Sequence, residues 1–471
     1  MKMKKLPLIA FFATAFAFAQ TPCSGGFADG FPCNGLDLQS HISLSEMSAS
    51  DGNDSWGWTD PDNGKEYALV GLDNGTAFIN ISDPVNPVYL GKLATHTSST
   101  IWRDIKVYNN YAFIVSEAGG HGMQVFDLTR LRSVTSPPET FTEDAHYDEI
   151  GGVHNIVINE ETGYAYSVGG GDFNGGPHFI DISDPLNPIA AGGYSGGGYC
   201  HDAQVVIYNG PDTDYTGHEI YFGSHASHVV ILDVTDKLNP QLIKSFQYPS
   251  TGYTHQNWVD EDHKYMYLGD EGDEFDFGFN TRTVVFDLTD LDNPLLHYEY
   301  YGPNSSVDHN GYVKGNFYYL ANYSSGLRII DISDIENENM TEYGFFDSYP
   351  PDNNASYAGS WNVYPFFESG NIVISGEGGF TLAIDPNPPL GVSDASIKDF
   401  AMYPNPAHNK ITITSKTNPL SQVEVFNILG QRVLFFNFED SLSEDLNISN
   451  LKTGMYLVKI NNLTTKRLII K

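Results

Sequence analysis

The sequence predicts an all-β chain whose main body is a seven-bladed β-propeller of four-stranded antiparallel blades, followed by a small second β-domain. Three observations predict it. A strand-and-turn signature, apolar-Asp-apolar-Ser/Thr-Asp-Pro-x-Asn-Pro, returns as "FINISDPVNP", "HFIDISDPLNP", "VILDVTDKLNP" and "VVFDLTDLDNP", with weaker copies in "QVFDLTRL", "RIIDISDIEN" and "LAIDPNP". Its markers, Asn80, Asp127, Asp181, Asp233, Asp287, Asp331 and Asp385, recur about every 44 to 54 residues, a period in the range of propeller blades. Each unit divides into four short strand signals punctuated by Gly, Asn and Pro, and no helical period is sustained anywhere.

At the N-terminus, lysines precede the apolar run "LPLIAFFATAFAFA", and Ala17-Phe18-Ala19 fits the small-residue rule for signal cleavage, so residues 1–19 read as a secretory signal peptide. The run is too short to span a bilayer, and no later segment supplies the apolar length of a membrane helix. Export permits disulfides. Cys23 and Cys33 in "PCSGGFADGFPC" close a short loop and are the expected pair, which leaves Cys200 beside His201 as the odd thiol, read first as a small buried apolar residue and second as a ligand or reactive thiol.

"LDLQSHISLSE", at about 36–46, alternates like an outer strand, whereas the last unit, ending in "TLAID", lacks its own fourth strand. The N-terminal strand is therefore expected to complete the last blade and remove an exposed edge. In the fourth unit the four strands are "AQVVIY", "EIYFGS", "HVVILDV" and "QLIKSFQY". The "SDPxNP" segments read as turns, because Pro fixes φ and Asp and Asn satisfy turn amides. The propeller is placed at 20–388, a Pro-, Gly- and Ser-containing linker at 389–399, and the second domain at 400–471.

With 59 Asp plus Glu against 24 Lys plus Arg, the formal charge is −35, which argues against nucleic acid as a partner and fits divalent cations or basic partners, or, as the plainer explanation, a surface kept acidic for solubility. No nucleophile elbow, His-Glu-x-x-His motif, phosphate loop or dinucleotide fingerprint occurs.

Histidines recur before the first strand of several units, as His154-Asn155, His201-Asp202, His255-Gln256 and His309-Asn310. In a blade whose strands run A to D outwards, the start of A and the end of B share one face of the ring. That face is expected to collect Trp58, Arg103, Trp361 and these histidines from the A strands, and Glu117, His225, Asp270, Glu271 and Glu377 from the B strands. Asn155 and Asp202 join the same channel mouth. Imidazole is a common metal ligand and a carboxylate can ligate or orient it, so His154, His201, His225, His255, His309, Asp270 and Glu271 are candidate ligands for Zn, Cu or Fe. Calcium would prefer the carboxylates alone, which bunch in "GDEGDEFDF" without the spacing of a known calcium loop. Two other readings stand beside the metal site. The histidines could tie each blade to the next, or they could be catalytic, with Glu117 or Glu377 as acid or base.

Several long segments in order, "PCSGGFADGFPCNGLDL", "GWTDPDNGKEYALVGLDNGTAFINISDPVNPVYLG", "HNIVINEETGYAYSVG", "CHDAQVVIYNGPDTDYTGHEIYFGS" and "YTHQNWVDEDHKYMYLGDE", closely resemble the choice-of-anchor B family, and the individual units resemble the LVIVD repeat. The resemblance runs from about Cys23 to Asp385 and implies a propeller displayed outside the cell, without implying a reaction. The C-terminal segments "MYPNPAHNKITITS", "QVEVFNILGQRVLFF" and "LNISNLKTGMYLVKI" resemble the sorting domain of the type IX secretion system, notably at Tyr403-Pro404-Asn405-Pro406, Leu429-Gly430-Gln431 and Gly454-Met455-Tyr456. That resemblance implies a small β-sandwich, the secretion machinery as partner, and passage across the outer membrane of a Gram-negative bacterium to release or surface attachment. The alternation in "KITITS" and "VEVFNI" is that of sandwich strands. The expected function is a secreted or surface binding module for an extracellular ligand or protein, with a divalent metal as candidate cofactor. Its rivals are a metal-dependent enzyme and an adhesion or matrix component.

Overall fold

The computed structural model describes residues 20–388, 400–403, 407–415, 419–427, 431–461 and 464–470. The proposed signal peptide and linker, Pro404-Asn405-Pro406 and Leu429-Gly430 lie outside the described residues. The chain divides into two compact units, up to Asn387 and from Pro388 onwards.

The first unit is a seven-bladed propeller, and every blade contains four antiparallel strands. The A strands are Gly52–Thr59, Arg103–Tyr108, Asn155–Asn159, Asp202–Ile207, Thr254–Val259, Gly311–Lys314 and Ser360–Tyr364 in blades 1 to 7, and each packs against the next around a closed ring. The fourth blade, Asp202–Ile207, Glu219–Ser224, Val229–Asp233 and Gln241–Phe246, matches the four strands read from its sequence. B and C strands are covered by neighbouring blades on both faces and so read as unbroken apolar runs; Glu66–Leu72 is buried throughout. D strands lie at the rim, where Gln241–Phe246 is largely exposed. Apolar clusters fill the gap between each pair of neighbouring blades, including the pair formed by blades 7 and 1.

The ring closes through the N-terminal segment. Asp37–Ile42 pairs antiparallel with Gly379–Ile384 and is the outer strand of blade 7. Just before it, Phe27–Ala28 and Phe31–Asn34 form a hairpin on the outer edge of blade 6, stapled by the Cys23–Cys33 disulfide. Blade 2 departs from the repeat. After its C strand the chain makes a 3-10 turn, Leu128–Ser133, then lends Glu139–Phe141 as a parallel fifth strand to blade 1 before returning as Ala145–Tyr147.

The repeat signature is a turn device. The marker side chains of Asn80, Asp127, Asp181, Asp233, Asp287, Asp331 and Asp385 each accept the backbone N–H two residues on, at 2.7–3.0 Å. In the full motif the next Asp accepts the Asn side chain three residues later, Asp83 from Asn86 and Asp184 from Asn187. These turns follow the C strands, on the face opposite the histidines.

The second unit is a β-sandwich. One sheet contains Phe400–Tyr403, Lys410–Ser415 and Ser443–Asn447, and the other Leu420–Asn427, Arg432–Ser441, Gly454–Ile460 and Thr464–Ile470. Ile411, Ile413, Val423, Val425, Leu446 and Val458 form its dry interior. Among the described residues, no helix is long and apolar enough to cross a membrane.

Candidate functional site

Polar residues at the A strands tie blade to blade. Asp54 accepts the Ile105 N–H at 2.9 Å, Asp104 that of Ile156 at 2.7 Å, Gln204 that of Val259 at 2.7 Å and Gln256 that of Gly311 at 3.1 Å. Asn362 closes the circuit by donating to the Ser55 carbonyl at 2.7 Å. Lys106 stands among the A-strand carboxylates, 2.7 Å from Asp104 and 3.8 Å from Asp54, and lies over the Trp56 ring. Burial, then Asp104, pushes Asp202 up to about 7, although Lys106 pulls the other way.

Above this layer His154, His201, His255 and His309 form an arc of touching rings, with successive centroids 4.1, 4.1 and 4.3 Å apart. Trp361 continues it 4.8 Å from His309. The main chain fixes the tautomers. His201 Nδ1–H donates to the His255 carbonyl at 3.0 Å, and His309 Nδ1–H to the Trp361 carbonyl. His154 Nδ1–H donates to Glu117 at 2.6 Å. In His201 and His309 Nε2 therefore carries the lone pair, the arrangement in which a histidine ligates a metal. His255 turns toward the His309 main chain but falls outside hydrogen-bond geometry there, and its Nε2 has no partner although the residue is only 1% exposed.

Glu271 leans over this arc from the end of strand B of blade 5. Its carboxylate accepts the Tyr323 hydroxyl at 2.8 Å and stands 3.8 Å from Nε2 of both His255 and His309. That separation is too long for a hydrogen bond. It suits two ligands of one ion, whose bonds of about 2.1 Å allow a span of about 4.2 Å. Ligand atoms of His201, His255 and Glu271 lie within 4.8 Å of one another. Burial, then neighbouring imidazoles, drives His201 and His255 well below the usual histidine range. Burial takes His309 to about 3 and pushes Glu271 up to about 7. Neutral imidazoles are the ligand form. Tyr323 is held at φ 21°, a conformation costly for a tyrosine, by the pairing of its carbonyl with the Ser360 N–H.

The other sequence candidates sit elsewhere. Trp58 is at the opposite end of its strand, donating to Asn110 at 3.1 Å, because strand A of blade 1 begins six residues earlier, at Gly52. The polar start "GNDS" hid that strand, so Asn53 and Asp54, not Trp58, occupy the site end. Arg103 turns between blades 1 and 2, donating to the Leu72 carbonyl and to His121. His225 is consumed by the Gly197 and Gly198 carbonyls and the Tyr221 hydroxyl. Asp270 accepts the amides of Gly252, Tyr253 and Gly272 and the Tyr248 hydroxyl, which makes it a loop anchor. Asn155 donates to the His201 carbonyl at 3.2 Å, and burial, then the Asp51 charge, raises the Glu377 carboxyl. Cys200 packs against the Tyr221 hydroxyl at 2.8 Å, and burial raises its thiol far above the reactive range. Sequence reading missed Tyr199 and Tyr253, whose ring systems border His201 and Glu271, and the buried Asp308. A depression of about 450 Å³ lined by Lys65, Glu66 and Ser369 lies on the opposite face of the ring.

Residues 401–471 match the secretion system C-terminal sorting domain, and residues 102–120 and 312–343 match the LVIVD repeat. The chain carries LVIVD repeats and a type IX sorting domain. That domain directs it through the type IX secretion system to the outer surface or the extracellular space. An endo-acting ulvan lyase of Formosa agariphila is 30% identical over 95 residues, 19% of this chain and 17% of the lyase, so the chain spans less than a fifth of that relative. PorZ, a surface component of the type IX secretion system of Porphyromonas gingivalis, superposes with a TM-score of 0.44 at 13% identity, covering 87% of this chain and 58% of PorZ.

Proposed function

We propose that this secreted LVIVD-repeat propeller is a non-enzymatic binding module that holds a divalent transition metal at His201, His255 and Glu271, with His154, His309 and the tyrosine rim shaping access for an extracellular ligand. The observation that carries this reading is the buried, partnerless Nε2 of His255, 3.8 Å from the Glu271 carboxylate. A buried polar atom without a partner costs about 1–3 kcal/mol, and an ion shared with Glu271 offsets that cost. Two imidazoles and a carboxylate suit zinc, copper or iron better than a hard cation.

The test is elemental analysis and zinc titration of the chain purified without chelator or affinity histidines, beside His255→Gln and Glu271→Gln. About one equivalent of a transition metal, retained by wild type and lost from both folded variants, supports the site. No binding of zinc, copper or iron by wild type sinks it. A second reading, a metal-dependent enzyme, is favoured by Glu271 standing at about 7, a value suited to a general acid or base at neutral pH. Turnover of a polysaccharide or peptide panel that is abolished in Glu271→Gln favours the enzyme. Ligand-dependent stabilisation without turnover favours the binding module.

A further inference from the structure

A second group of acids lies deeper between blades 5 and 6. The short helix Asp273–Phe277 follows strand B of blade 5 and turns Asp273 and Glu274 inward, 0% and 4% exposed. The loop entering blade 6 brings Asp308, 1% exposed, from the other side. One carboxylate oxygen from each lies within 4.8 Å of the others.

The charge around them does not balance. Arg282 donates to Asp273 at 2.5 Å, but its remaining nitrogens are directed to Glu299 and to the Pro249 and Ser250 carbonyls. Asp270, 3.7 Å from Arg282, is already saturated by backbone amides. Among the described residues, no donor with hydrogen-bond geometry reaches Asp273 Oδ1, either oxygen of Glu274 or either oxygen of Asp308, although the Asp273 and Glu274 carboxyls face each other. Asp308 is the decisive member. It comes from a separate loop and is essentially dry, one of its oxygens lies within 4.8 Å of the other two acids, and neither oxygen has a donor among the described residues. Ordinary buried carboxylates are paired or hydrogen-bonded, so these oxygens call either for protons shared among the three or for a cation.

We propose that Asp273, Glu274 and Asp308 bind a calcium ion that fastens the Asp273–Phe277 helix of blade 5 to the inner loop of blade 6. The donor set is carboxylate oxygen only, which selects a hard cation, whereas the histidine arc selects a borderline one. Calcium, with bonds of about 2.4 Å, accepts irregular oxygen sites, while magnesium, at about 2.1 Å, demands near-ideal octahedral geometry and keeps several waters. This site does not depend on the proposal for His201, His255 and Glu271, and it is structural: it would hold the loop that presents His309.

The experiment uses the full chain, stripped with chelator and returned to calcium, magnesium or zinc chloride, with unfolding by urea as readout. Calcium at 100 times its Kd is expected to raise the folded-to-unfolded ratio about 100-fold. Magnesium is expected to do far less, and Asp308→Asn to abolish the calcium response. His255→Gln, which disables the transition-metal site, is expected to leave that response intact. Absence of bound calcium together with no calcium-dependent stabilisation of wild type would overturn the proposal, whatever the variants do. So would an Asp308→Asn variant that matches calcium-loaded wild type in stability, since the carboxylates would then be neutralised by shared protons.

Discussion

Lys106 is the residue whose loss the ring should tolerate least. Its ammonium is 2.7 Å from Asp104 and 3.8 Å from Asp54, with side chains 14%, 5% and 2% exposed, and it stands 4.6 Å from the Trp56 ring centroid. Asp202 is also within its field. Replacing it with methionine keeps the stem and removes the charge, leaving three carboxylates from blades 1, 2 and 4 without a cation. Breaking a buried pair on one side costs about 3–5 kcal/mol, and the lost cation–π contact adds about 1 kcal/mol. The penalty depends on pH in a defined direction. Without Lys106 the folded-state carboxylate values rise, so the folded protein takes up protons and the penalty shrinks as pH falls from 7 to 5. Urea unfolding followed by tryptophan fluorescence at both pH values, on Lys106→Met, Asp104→Asn and the double variant, measures it. The double variant should recover part of the loss, because one of the uncompensated charges is gone. A Lys106→Met protein within about 0.5 kcal/mol of wild type at pH 7 would refute the reasoning, since surface substitutions commonly fall in that range. A large loss that is equal at pH 5 and 7 would show that Lys106 acts by packing alone.

Two further outcomes are expected. His121 Nδ1–H donates to the Gly122 carbonyl and its Nε2 accepts from Arg103, and burial, then the Arg103 charge, lowers it from 6.5 to about 4. Its folded-state value is depressed, so its contribution is present above pH 6.5 and is lost as pH falls toward 4. Between pH 7 and 4.5 wild type should therefore lose about 2–3 kcal/mol more than His121→Gln, which keeps an acceptor for Arg103 but does not titrate; equal losses in urea midpoints would contradict this. Replacing Cys23 and Cys33 by serine opens a loop with a sequence separation of 10 and should cost about 3 kcal/mol of hairpin docking. Limited proteolysis should then cut between residues 23 and 34 while the blades stay intact, and an unchanged cleavage pattern would count against that role for the bond.

How far the site could be read in advance depended on the kind of signal each residue left. The four histidines were visible because duplication places them at the same point of successive units, and the arc of imidazoles follows from that register. Glu271 was visible as the end of a B strand. Trp58 was misplaced because "GNDSWGWT" carries its polar residues at the strand start, where apolar alternation gives no cue; those residues are buried against neighbouring blades, not exposed in a loop. His225 and Asp270 had the right position but the wrong role, since hydrogen bonds from the Gly197–Gly198 and Gly252–Tyr253 loops consume them. Nothing around Asp308 in the sequence distinguishes it from a solvated loop aspartate. Its burial arises from the approach of the Asp273–Phe277 helix across a blade boundary.

The sequence by itself determined the blade number, the strand periodicity and the turn chemistry, because these are local: an Asp bonding an amide two residues on, an apolar run covered on both faces, a period repeated along the chain. It also carried the sorting domain and hence the extracellular destination. Only the tertiary structure decided which polar residues are spent on holding the ring and which are left unsatisfied at its mouth. That division depends on contacts between residues about 50 positions apart, set by the angle between blades, which decides whether a buried nitrogen or carboxylate meets a partner in the dry interior.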